Sequence, residues 1–90
     1  MADLGHIRAK ILEMSQRKKN VELSEIEWVV NNLKGIGYDV SVRINAHQHL
    51  FRVNGKRFGV CHHNPGGKQI KVCYVNEFLD RMADLDLYED

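Results

Sequence analysis

Apolar residues recur at helical spacing in the first part of this chain and at strand spacing in the middle. Leu4, Ile7, Ile11 and Met14 stand three, four and three residues apart, which predicts one stripe on a helix over 4–14. The polar, basic run from Ser15 to Asn20 then connects to a second helix. Ser24 is placed as its N-cap, Glu27 three residues later completes a capping box, and Leu23 staples onto Trp28. Ile26, Val29, Val30 and Leu33 make its buried face, Trp28 is assigned to the core, and Gly35 ends the helix through a left-handed turn.

From Tyr38 to Ile44 the period changes to two: Val40, Val42 and Ile44 point one way, Asp39, Ser41 and Arg43 the other. Two further strands are predicted at 46–53 and 56–62, joined by Asn54-Gly55, a dipeptide that suits a tight hairpin turn. A two-residue turn sets Val53 opposite Lys56, Phe51 opposite Phe58, His49 opposite Val60 and His47 opposite His62. Phe51, Val53, Phe58 and Val60 then share the core face. Gln48, Leu50, Arg52, Arg57 and Cys61 share the opposite face with Arg43. After the loop Asn64-Pro65-Gly66-Gly67, a last helix over 72–83 aligns Val75, Phe78, Leu79 and Met82, with Glu77 and Arg81 as an i,i+4 pair. The order α-α-β-β-β-α predicts an α+β fold: a three-stranded antiparallel sheet packed on helices, with one face left open.

Ninety residues make a single domain, 1–90, with 1–20 as helix and basic connector and 84–90 as an acidic tail. Net charge is only +1, but all 13 Lys and Arg precede position 84, while four of the 12 acids lie in the last seven residues. The body is therefore basic and points to an anionic partner, and the tail reads as a solubilising end. No apolar run approaches the roughly 18–20 residues that span a bilayer, and 1–20 is too charged for a secretory h-region. Cys61 and Cys73 lack CxxC spacing and read as reduced thiols, so the expectation is a cytoplasmic protein with no membrane partner.

Between Asp39 and Glu77 there is no acidic residue, yet six Lys/Arg and four of the five histidines fall there. Arg43, Arg52 and Arg57 on one wet face suit phosphate, which arginine grips through a planar fork, and Lys68 and Lys71 extend the patch. The alternative is a solvated polar face. His47, His49, His62 and His63 bring imidazole chemistry to the same region. Cleaving RNA requires a base for the ribose 2′-OH, a donor for the leaving oxygen and positive charge for the transition state, which histidine plus arginine supply without a metal. Cross-strand imidazoles at His47, His49 and His62 also leave a zinc site geometrically open, though no repeated ligand pair fixes one.

Several short segments run in a familiar order: Gly37-Tyr38, Ala46-His47-Gln48-His49-Leu50-Phe51-Arg52, Asn54-Gly55, Val60-Cys61-His62-His63, Gly66-Gly67-Lys68-Gln69-Ile70-Lys71, and Val75, Phe78 and Leu79. In this the chain, from about Ile11 to Met82, resembles the HicA-like (YcfA-type) small toxins, in their longer branch with an N-terminal helix. These are the mRNA-cleaving partners in HicA–HicB toxin–antitoxin pairs. The resemblance implies a fold like the double-stranded-RNA-binding domain and metal-independent endoribonuclease (hydrolase) activity on mRNA. It also implies no cofactor and a HicB-like antitoxin as protein partner. The family's Gly-Ser-His-His falls on Ala46-His47-Gln48-His49, so its catalytic histidine position is Gln48 here, and an amide takes up no proton at neutral pH. The catalytic candidates are then His47, brought in by a one-residue bulge, and His49. Arg43, Gln48, Arg52, Arg57, Lys68 and Lys71 are the RNA-binding candidates. Three readings stand open: an RNA-cleaving toxin, a non-catalytic relative that binds RNA or protein through the same face, and a metal site at the histidines.

Overall fold

The computed structural model describes residues 3–45, 48–61 and 70–89. Helix α1 (Leu4–Ser15) leads through a short 3-10 turn (Lys18–Asn20) to α2 (Leu23–Gly35). Three strands follow, β1 (Val40–Asn45), β2 (Gln48–Val53) and β3 (Lys56–Cys61), and α3 (Val72–Asp84) closes the order. The sheet is antiparallel in the order β1-β2-β3. This is the α+β arrangement the periodicities predict, with the helices on one face and the other open.

The hairpin register follows from its turn. Asn54 (φ 49°) and Gly55 (φ 86°) are both left-handed, as a two-residue type I′ turn demands. Val53 accordingly pairs with Lys56, Phe51 with Phe58 and His49 with Val60. Phe51 and Phe58 are buried and stacked with centroids 5.1 Å apart, and Phe78 of α3 meets Phe58 edge-on at 5.4 Å. That aromatic contact joins α3 to β3, and Val53, Val60, Val75, Leu79 and Met82 fill the space around it.

Helix α1 belongs to the same core through Ile7, Ile11 and Met14. It starts at Asp3, whose carboxylate accepts the His6 N–H (2.9 Å). Arg17, in the basic connector, donates to Glu25 Oε1 at 2.5 Å and to Glu13 Oε1 at 2.7 Å, and Lys10 Nζ reaches Glu25 Oε1 at 3.2 Å. Burial alone would push the Glu25 carboxyl up. The Arg17 hydrogen bond, the Glu22 N–H and Lys10 outweigh it and hold the group at about 2. Arg17 is correspondingly raised, first by its hydrogen bond to Glu25 and then by Glu13.

That network corrects the start of α2. Glu22, not Ser24, is the N-cap, and its N–H donates to Glu25 Oε2 (2.9 Å), so the box pairs Glu22 with Glu25 rather than Ser24 with Glu27. Glu25 is fixed in the first turn because Arg17 and Lys10 converge on it. The apolar staple shifts with the cap to Val21 and Ile26, both fully buried, and Trp28 lies partly exposed rather than in the core. The helix end is corrected too: Gly35 is still helical, and the left-handed residue is Gly37 (φ 109°). Tyr38 N–H reaches Leu33 O (3.0 Å) and Gly37 N–H reaches Lys34 O (3.2 Å), a Schellman close.

The end of α3 closes the same way, with Leu87 N–H to Met82 O (2.8 Å), Asp86 N–H to Ala83 O (3.0 Å), and Asp86 itself left-handed at φ 60°. Leu87 is buried and Leu85 and Tyr88 pack against the core, so the tail is docked on the domain as far as Tyr88. Among the described residues no helix is long and apolar enough to cross a membrane.

Candidate nucleic-acid interface

Strand alternation and register place three rows of side chains across the open face. They are Ser41–Arg52–Arg57, Arg43–Leu50–Gly59 and Asn45–Gln48–Cys61. Arg52 and Arg57 face each other directly. The Gly59 N–H points away from β2 to Glu77 (3.2 Å), which by alternation makes Arg52–Arg57 a non-hydrogen-bonded pair. In such pairs the Cα atoms are about 4.5 Å apart and the side chains are closest. Arg43 is diagonal to Arg52, a separation of roughly 7–8 Å.

None of these arginines forms an ion pair with a described residue; the pairs involve His6, Lys10, Arg17 and Arg81 instead. Like charges opposite one another on a sheet are destabilising unless something neutralises them. A shallow concavity of about 580 Å³ runs across them, lined by Arg43, Leu50, Arg52, Arg57, Gly59 and Glu77 among others. Gly59 makes room on its floor: a Cβ there would stand 3.3 Å from Leu50 Cδ2.

Glu77 is the residue that reading the sequence misses. Instead of pairing with Arg81, it caps the β3 edge at Gly59 and puts a carboxylate on the rim of the concavity, while Arg81 Nη1 donates to Asp84 Oδ2 (3.1 Å). The only sequence signal is its place beside Phe78, which becomes informative once Phe78 is known to pack on Phe58.

Of the predicted site residues, Arg43, Gln48, Arg52 and Arg57 come together on the open face. His49 does not join them. It pairs with Val60 on the helix side, half-buried and stacked with Phe51 at 6.3 Å, and its Nδ1 has no hydrogen-bond partner among the described residues. Lys71 is exposed at the N-cap of α3 and does not line the concavity. His47, His62, His63 and Lys68 lie outside the described residues, and with them the His47–His49–His62 grouping. Cys61 ends β3 and Cys73 lies in the first turn of α3, neither in a disulfide; the Tyr74 phenol is raised, first by its hydrogen bond with Cys61 and then by burial.

Fold and surface thus define a small α+β domain with a basic open sheet. Compared with known proteins, the chain matches no family model, no curated sequence and no solved structure.

Proposed function

We propose that the chain is a HicA-like RNA-binding toxin of a type II toxin–antitoxin pair, cleaving mRNA without a metal and neutralised by a HicB-like antitoxin. The observation that carries the reading is the Arg52–Arg57 pair, two arginines at directly opposed positions of an open sheet, neither in an ion pair with a described carboxylate. A phosphodiester oxygen between them relieves the repulsion and accepts charge-assisted hydrogen bonds from both. Arg43 extends the positive track diagonally onto β1, and the Gln48 amide offers hydrogen bonds to phosphate or base. His47 is the proposed base for the 2′-OH, with the arginines stabilising the developing charge.

A second reading is a HicA-like module that binds RNA or a protein without cleaving. It is favoured by the position of Gln48 on the open face, at the family's histidine position, with His49 across the sheet. Induced expression and incubation of purified protein with mRNA separate the two readings. Growth arrest and cleavage, both lost in His47→Ala, support the toxin. Intact RNA and unchecked growth with the wild type, and cleavage gained in Gln48→His, support the binding module. RNA binding that is indifferent to added salt sinks both RNA readings.

A further inference from the structure

β1 is an edge strand, and none of the described residues pairs with its outer side. Asp39, just before β1, turns both its backbone groups toward Asn54: its N–H donates to Asn54 Oδ1 (2.8 Å) and its C=O accepts the Asn54 N–H (2.7 Å). Residues of an antiparallel strand alternate between facing their partner and facing away. Ser41, Arg43 and Asn45 therefore bond to β2, and Val40, Val42 and Ile44 present N–H and C=O groups at the free edge. All three side chains are apolar; Val40 packs against the core, while Val42 is 47% and Ile44 66% exposed, although both lie on the helix side of the sheet. The opposite edge is managed differently, since Glu77 takes the outward Gly59 N–H. On β1 the devices against edge pairing are few: the strand has no lysine and no proline, no carboxylate of a described residue pairs with it, and its one charge, Arg43, stands on the open face at a position whose backbone bonds to β2.

We infer that β1 pairs antiparallel with β1 of a second copy of this chain, about a two-fold axis through Val42. In that register Val42 meets the second copy's Val42, Val40 meets its Ile44, and Arg43 meets its Ser41. Every outward backbone group within these pairs finds a partner, every helix-side pair is apolar on apolar, and no like charges oppose. This self-complementarity is what an isologous interface requires, and it selects a second copy over an unlike strand. Arg43 is the one charged side chain on β1, so the edge carries no row of charge to recruit an acidic partner. The result is a continuous six-stranded sheet whose open faces join, setting two Arg43–Arg52–Arg57 clusters side by side. A pairing of two short strands buries less than the roughly 1,200–2,000 Å² of a standard stable interface, so the dimer is weak and concentration-dependent.

Sedimentation velocity from micromolar to millimolar protein tests this. The expected result is a monomer–dimer equilibrium in the wild type and a monomer throughout in Val42→Pro, whose lost N–H belongs to the edge and not to the β1–β2 ladder. Val42→Lys, at an exposed position that leaves the backbone unchanged, is expected to be monomeric with an unaltered circular dichroism spectrum. Ser41→Asp, facing Arg43 of the second copy, is expected to tighten the dimer several-fold. A wild type that stays monomeric to millimolar concentration, or a Val42→Lys variant that dimerises as well as the wild type, overturns the inference. The readout needs no RNA, so its failure is distinct from failure of the RNA reading.

Discussion

Arg52 and Arg57 are cross-strand partners in the closest class of antiparallel pair, and no described carboxylate forms an ion pair with either. Their mutual repulsion makes one of them expendable for folding. Arg52→Ala or Arg57→Ala is expected to leave stability unchanged or raise it, by about 0.2–1 kcal/mol. RNA affinity is expected to fall, and the slope of log K against log salt to drop by roughly one per arginine removed. Urea titration and binding isotherms at several salt concentrations check both. A variant that loses more than about 1 kcal/mol of stability while binding RNA normally makes the arginine structural.

Arg17 and Glu25 tie the N-terminal segment to α2, and their ionisation sets an acid limit. The Glu25 carboxyl titrates at about 2 in the folded protein, below the roughly 4.3 of an unfolded glutamate. Because the folded value is the depressed one, the stabilisation is complete above the unfolded value and is lost as pH falls from about 5 toward 2. Glu25 is 17% exposed in its side chain, which leaves a contribution on the order of 2 kcal/mol after solvent screening. Thermal melts from pH 7 to pH 2 are expected to show a steeper decline for the wild type than for Glu25→Gln. Glu25→Gln itself loses stability at pH 7 and little at pH 2.

What the sequence discloses and what it hides divide along physical lines. Asn54-Gly55 fixes a turn, the turn fixes a register, and period-two alternation then places Arg43, Arg52 and Arg57 on one face; each step is local. The start of α2 is not local. Glu22/Glu25 and Ser24/Glu27 both have the spacing of a capping box. The choice is made by Arg17 and Lys10, which lie eight and fifteen residues before Glu25. The position of Glu77 depends on Phe78 finding Phe58, a contact between elements that no periodicity encodes. Val42 alternates like a core residue yet is exposed, because helical cover of β1 ends at Val40.

Gly37 and Asp86 hold equivalent positions at the ends of α2 and α3, and only one of them is glycine. Asp86 is left-handed at φ 60°, where a side chain costs energy and glycine does not. Asp86→Gly is expected to stabilise by about 0.5–1 kcal/mol, or a melting temperature a few degrees higher. Gly37→Ala, at φ 109°, is expected to destabilise by about 1 kcal/mol or more despite open space around a new Cβ. Differential scanning calorimetry of the two variants distinguishes this from a packing effect, since a packing effect predicts no loss at Gly37.

Glu77 sets the charge balance of the basic face. Its Oε1 holds the Gly59 N–H at 3.2 Å, a role that the carbonyl of a glutamine fills equally well. Glu77→Gln is therefore expected to keep stability within about 0.5 kcal/mol of the wild type. It removes the negative charge from the rim of the concavity, and RNA binding at low salt is expected to tighten roughly two- to tenfold, the gain shrinking as salt shortens the Debye length. Glu77→Ala leaves the Gly59 N–H without its acceptor and frees the β3 edge, so it is expected to gain the same affinity at a cost of about 1 kcal/mol in stability. Isothermal titration against a short single-stranded RNA at two salt concentrations separates the outcomes. Weaker binding in Glu77→Gln makes the carboxylate a contact residue; stronger binding makes it a brake on the arginine face.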